Sequence, residues 1–221
     1  MFDRLWPLPR SLTGDGVRAT HAALGELMPL ERLELASDTP VLDWMVPQEW
    51  KVREAFVVSP DGTRILDFHS NNLHLVGYSE PFQGRLTRSE LDEHLYSLED
   101  RPSAIPYVTS YYRPRWGFCL SHEQRVSLPP GEYEVVVNTE LEPGSMTISE
   151  CLLPGTSSQE VLISSYTCHP SLANNELSGP ILAAFLYRRL ARLSQRRLTF
   201  RFVLAPETVG AIAYLHLRGD W

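Results

Sequence analysis

Apolar positions fall at helical spacing in two stretches of the chain and alternate in several others. From Gly16 to Leu35, the residues Val17, Leu24, Leu27, Met28 and Leu35 lie roughly on one face, which predicts an N-terminal helix. Ser11 and Thr13 stand before it as candidate caps. Between residues 37 and 132 the elements are short and punctuated by turns. Ala55–Val58, then Pro-Asp-Gly-Thr, then Arg64–Phe68 predicts a hairpin. Leu73–Tyr78 predicts a strand with His74 on its polar face, and Thr87-Arg-Ser-Glu90 is a capping box opening a short helix through Leu95. The stretch Ile105–Cys119 is dense in aromatic residues and prolines and reads as a constrained surface.

From Tyr133 the rhythm becomes α/β. Tyr133–Asn138 and Met146–Leu153 alternate like strands around a Pro143-Gly144 turn. Val161–Tyr166 is a nearly continuous apolar run, as expected of a strand buried on both faces. The helix expected over Ser178–Ser194 carries an apolar stripe of Ile181, Leu182, Phe185, Leu186, Leu190 and Leu193, with Pro180 in its first turn. Thr199–Ala205 is the next buried strand, and a right-handed crossover makes the two strands parallel.

Composition narrows the partners. Twenty Lys and Arg against 27 Asp and Glu give a net charge of −7, so no basic footprint for nucleic acid or an anionic membrane is present. The apolar runs fall far short of the ~20 residues that a membrane span needs. The N-terminus has early prolines and an acid but no apolar signal core, and Cys119, Cys151 and Cys168 form no close pair. The expectation is a cytoplasmic protein without disulfides. No pattern in the chain fixes its oligomeric state.

Parallel strands end on one edge of a sheet, and ligands bind outside those carboxyl ends. The loop after the first strand holds Cys168, His169, Asn174, Asn175 and Glu176, and the loop after the second holds Pro206, Glu207 and Thr208. A neutral imidazole with a carboxylate is the usual beginning of a zinc site, and a further glutamate suits a general base. The same residues also admit a purely structural role, His169 orienting a loop and the glutamates serving helix N-termini. A Cys168 nucleophile paired with His169 is geometrically poor, because neighbours on an extended loop point opposite ways.

The run Ser165-Tyr-Thr-Cys-His169-Pro-Ser-Leu-Ala-Asn-Asn-Glu176-Leu-Ser-Gly179, followed by Ala205-Pro-Glu207-Thr-Val-Gly210, resembles the zinc aminopeptidase fold of the bacterial leucyl-aminopeptidase type. The whole chain more closely resembles a bacterial family of aminopeptidase-like proteins, often met near polysaccharide-biosynthesis genes. Its marks are Arg10-Ser-Leu-Thr-Gly14, Asp43-Trp-Met-Val-Pro47, Asn72–Tyr78, Pro106–Tyr112 and Arg115-Trp-Gly-Phe-Cys119.

The resemblance implies an α/β fold: a zinc-peptidase-type sheet with flanking helices, incomplete at the C-terminus, plus an inserted small β-rich α+β module. Residues 1–40 would be the N-terminal helical part, 41–132 the inserted lid-like module and 133–221 the first part of the core. His169 matches the metal histidine and Glu207 the general base. Asn175 stands where the clan has a bridging aspartate, so Glu176, one residue along, takes the metal-binding role; Thr208 replaces the second glutamate of the clan's pair. These departures imply one Zn²⁺ rather than two. The clan's later ligands fall beyond Trp221, so the chain is expected to be the N-terminal part of a longer enzyme. His122 is a minor candidate for a missing ligand. Tyr111, Tyr112, Arg115, Trp116 and Phe118 would line a lid over the substrate or form the module's core. The function implied is a zinc-dependent aminopeptidase-like hydrolase of a small peptide or amide. The alternative is a non-catalytic peptidase-fold module binding a peptide or amino sugar.

Overall fold

In chain order the elements are α1 (Phe2–Leu5), α2 (Asp15–Gly25), β1 (Glu31–Ala36), β2 (Pro40–Val41), β3 (Trp44–Met45), β4 (Glu49–Val58) and β5 (Arg64–Ile65). A 3₁₀ turn (Asn72–His74) precedes β6 (Phe82–Thr87), α3 (Arg88–Asp92), β7 (Leu95–Tyr96), β8 (Phe118–Cys119), α4 (His122–Ser127), β9 (Glu132–Glu142) and β10 (Ser145–Leu153). Then come β11 (Glu160–Tyr166), a π-helical turn (Ala173–Leu177), α5 (Ser178–Ala191), β12 (Thr199–Ala205) and α6 (Val209–Arg218). The structure, a computed structural model, describes residues 1–111 and 113–219. The chain divides into two units, Met1–Glu49 with Glu142–Trp221, and Trp50–Leu141. The sequence reading sets its boundaries at 40/41 and 132/133.

The first unit is built on a four-stranded sheet in the order β1-β10-β12-β11. β10 runs antiparallel to β1 and β12, whereas β11 and β12 are parallel from Glu160↔Thr199 to Tyr166↔Ala205. The expected strand–helix–strand unit is therefore present, and both strands end on the same edge. Phe202 and Leu204, two residues apart on β12, point to one face and bury against Leu5, Leu24, Met28, Leu177 and Ala184.

Four sequence expectations give way here. The helix anticipated from Gly16 to Leu35 stops at Gly25, and Glu31–Ala36 is instead strand β1. Pro29 prevents the chain from continuing as helix, and Leu33 and Leu35 then alternate instead of stacking. Neither Ser11 nor Thr13 caps α2; its cap is Gly14, held at φ 95°. The run Val161–Tyr166, anticipated as doubly buried, is the outer strand of the sheet, and Leu162 is 51% exposed. On α5 the buried face is Pro180, Ala183 and Ala184, whose small side chains let the helix approach the sheet, while Leu182 and Phe185 face out.

The second unit holds a sheet ordered β5-β4-β9-β6. The hairpin lies where the turn chemistry puts it: Val57 pairs with Ile65, Gly62 takes φ 85°, and Asp61 Oδ1 accepts the Thr63 N–H at 2.9 Å. The Thr87–Glu90 capping box forms, but its helix ends at Asp92 and Leu95 joins β7. Leu73–Tyr78 is no strand. Asn71 Oδ1 accepts the Leu73 N–H at 3.1 Å and tightens the backbone into the 3₁₀ turn, which carries His74 with its Nδ1 2.8 Å from the Cys119 carbonyl. β9 pairs with β6, so the strands flanking Pro143-Gly144 belong to different sheets and make no hairpin.

Within this unit the aromatic residues pack on one another. Trp116 is stacked between His94 (ring centroids 3.7 Å apart) and Phe82 (4.2 Å), Tyr111 meets Tyr78 edge-on, and Phe118 is fully buried. Arg115 lies over the Tyr96 ring, and Tyr112 falls outside the described residues. No helix of the described residues is long and apolar enough to cross a membrane.

Candidate functional site

The two parallel strands deliver their loops side by side. Beyond Tyr166 the chain is tied to the end of β12, where Thr167 N–H donates to the Ala205 carbonyl at 3.1 Å. Gly179, in the first turn of α5, lies against the Ser165 hydroxyl, where a Cβ would collide. Between them the chain forms the π-helical turn, a geometry that recurs at functional sites and here swings Glu176 inward.

The three residues singled out from the sequence meet on one imidazole. His169 Nε2 is 3.2 Å from Glu207 Oε2, and His169 Nδ1 is 3.3 Å from Glu176 Oε2 and 3.0 Å from Asn175 Oδ1. The side chain of Glu176 is fully buried, whereas that of Glu207 is 52% exposed. Glu207 is aimed by its backbone as well as by Pro206. Its N–H donates to Cys168 Sγ at 3.2 Å, and Thr208 after it sits at φ 56°, ψ −82°, the strained γ-turn region. Beside Glu207 opens a cavity of about 300 Å³ lined by Tyr166, Ala205, Thr208, Ala211 and Leu215.

One participant, Arg10, stood in the sequence only as the head of the Arg10-Ser-Leu-Thr-Gly14 mark, with no role at the site. Arg10 is fully buried, donating from Nε to the His169 carbonyl at 2.9 Å and from Nη1 to the Leu5 carbonyl at 2.6 Å. Its Nε lies 3.6 Å from Glu176 Oε1. The available signal was a lone arginine between Pro9 and a cap-like Ser-Leu-Thr-Gly run, a segment without helical or strand period. Ser171, donating to the Trp6 carbonyl at 3.1 Å, is a second tie between the N-terminal segment and the loop.

Charge shapes the titration of these groups. Burial opposes the imidazolium of His169, but neighbouring Cys168 and Glu176 outweigh it and carry its pKa up to about 10. The expectation that Cys168 and His169, as loop neighbours, point opposite ways gives way: the thiol and the imidazole lie close together, and burial pushes the thiol up. His122 lies in the second unit on α4, its Nδ1 3.1 Å from Ser97 Oγ.

The donor set suits a metal ion. Both Glu176 oxygens are buried without a hydrogen-bond partner, a condition that costs free energy unless a cation takes their lone pairs.

Comparison with known proteins agrees with this geometry at the level of fold. A Clostridium acetobutylicum protein described as a polysaccharide biosynthesis protein with an aminopeptidase-like domain is 40% identical over 220 residues, which is 100% of this chain and 50% of the relative. A peptidase crystal structure from the same organism superposes with a TM-score of 0.96 at 40% identity, over 99% of this chain and 52% of that one. A zinc aminopeptidase from Bacillus subtilis shares the fold at a TM-score of 0.56 and 12% identity, over 100% of this chain and 64% of that one. The chain thus spans about half the length of the two Clostridium acetobutylicum chains it matches. A family model described as "Domain of unknown function (DUF4910)" matches residues 1–220, and the chain belongs to that family, within the zinc-aminopeptidase-like fold.

Proposed function

We propose that the complete protein is a zinc-dependent aminopeptidase-like hydrolase that cleaves a peptide or amide bond next to a free amino end. The observation that carries this reading is the convergence of His169, Glu176 and Glu207 at the ends of two parallel strands, in a fold shared with a zinc aminopeptidase. His169 and Glu176 would hold one ion, with further ligands from the rest of the longer protein, since a catalytic zinc takes at least three protein ligands. When bound, zinc supplies a Lewis acid and a water of lowered pKa.

Glu207 does the proton work. Its half-exposed carboxylate stands at the open side of the site and takes the proton from the attacking water as the new C–O bond forms. It returns that proton to the amine as the C–N bond breaks. Arg10 and Asn175 orient His169 from its carbonyl and its Nδ1 side, which keeps the ring fixed without occupying Nε2.

A second reading has its own observation. The buried Arg10 guanidinium already offsets the charge of Glu176, as a peptidase fold that only binds a peptide or amino sugar would need. The test is to strip metal from the full-length protein and assay hydrolysis of a panel of aminoacyl amides with and without added zinc. Zinc-restored hydrolysis supports the enzyme. Its absence, with tight binding of the same amides, supports the binding module.

A further inference from the structure

Cys168 has no part in the hydrolysis just described, yet its thiol lies within the cluster. Its Sγ, a His169 ring nitrogen and a Glu176 carboxylate oxygen all lie within 4.8 Å of one another, and all three residues are buried. Two ligands of a tetrahedral zinc bound through sulfur and nitrogen or oxygen stand about 3.5–3.8 Å apart, so small side-chain adjustments close the set. The Glu176 carboxylate that faces this space is fully buried and has no hydrogen-bond donor on either oxygen. The sulfur is also oriented in advance: the Glu207 backbone N–H points at it from 3.2 Å, as a backbone amide does toward a metal-bound thiolate. The Arg10 guanidinium, buried beside the cluster, adds a permanent positive charge that favours two anionic ligands.

We infer that Cys168 is a metal ligand, so that this chain supplies a Cys168–His169–Glu176 donor set for a borderline-soft divalent ion such as zinc. The inference rests on the zinc reading above and extends it. On binding, the Cys168 S–H bond breaks and the sulfur bonds to the metal as thiolate, His169 gives up the proton on its ligating nitrogen, and both protons leave to solvent. Three protein donors then meet the minimum for a zinc site within this chain. The thiolate biases the site against magnesium and calcium, which favour oxygen ligands.

Cobalt(II), a spectroscopic stand-in for zinc, provides the test. The metal-free full-length protein is titrated with cobalt(II), and its absorption is recorded together with that of a Cys168→Ser variant. The expected result is a near-ultraviolet sulfur-to-cobalt charge-transfer band that saturates at one ion per chain and is displaced by zinc. The band is lost in the variant, which binds the metal at least tenfold more weakly. Visible cobalt bands without the charge-transfer band would overturn the inference while leaving the zinc reading intact. Failure to bind cobalt or zinc at all would overturn both. If Cys168→Ser does not fold, the band in the unmodified protein decides the matter alone.

Discussion

Two glutamates of the first unit are almost equally buried, and their surroundings differ completely. Glu150, on β10, accepts hydrogen bonds from Tyr214 at 2.6 Å and Arg201 at 3.0 Å and pairs with Arg218. Burial works against its charge, but these donors outweigh it and hold the carboxyl below its usual range. Glu176 has a guanidinium and an imidazole nearby, at 3.6 Å and 3.3 Å, and no hydrogen bond on either oxygen. A saturated carboxylate is a structural clamp. One whose charge is offset but whose lone pairs are unused can still bind something, and that difference is what favours the strand-end cluster as the proposed site.

The largest expected effect comes from removing the counter-charge on the functional side. Arg10→Ala strands a buried carboxylate and unpairs the His169 carbonyl, so chemical denaturation should show a loss of about 3–5 kcal/mol. A loss under about 1 kcal/mol would mean that His169, 3.3 Å away, suffices as its counter-charge. Next, Glu176→Gln in the complete protein should weaken zinc roughly 10–100-fold in a competition titration, the range seen when a group orienting or holding a metal is altered. The comparison breaks if Glu150→Gln weakens zinc equally.

Acid separates the regions without touching either carboxylate. His21 is buried with Ser149 Oγ and Thr167 Oγ1 each 2.7 Å from its ring nitrogens, and burial, with Arg32 nearby, lowers its pKa from 6.5 to about 3. The unfolded chain therefore takes up the proton first. The contribution is complete above pH 6.5 and is lost progressively as the pH falls toward 3. Between pH 6.5 and 5 the unmodified protein should lose about 1–2 kcal/mol more than a His21→Gln variant, read from denaturant midpoints. The smallest effect belongs to Arg218→Ala. Its side chain is 44% exposed and Glu150 keeps two other donors, so the expected loss is under about 1 kcal/mol.

The sequence was most legible where chemistry is local. The Pro-Asp-Gly-Thr hairpin and the Thr87–Glu90 capping box name their own geometry, because their hydrogen bonds close within a few residues. The parallel pair β11 and β12 followed from one apolar run, one helix and one further run, and that alone was enough to bring His169, Glu176 and Glu207 to one edge. Long-range packing was not legible. Nothing periodic says that α5 buries its alanines and leaves Leu182 and Phe185 outside, or that Val161–Tyr166 is the outer strand. The role of Arg10 was hidden for the same reason: its partners at the site are 159 and 166 residues away along the chain. Pro29, by contrast, was present to be read, and its helix-breaking effect outweighs the spacing of Leu24, Met28 and Leu35.

The central claim is that the strand-end cluster performs hydrolysis, with Glu207 as the base. It is tested most directly by measuring kcat and bound zinc together for Glu207→Gln in the complete protein. The account predicts an intact fold, unchanged zinc and a kcat lower by roughly 10²–10⁴-fold. Full turnover with unchanged zinc would contradict it.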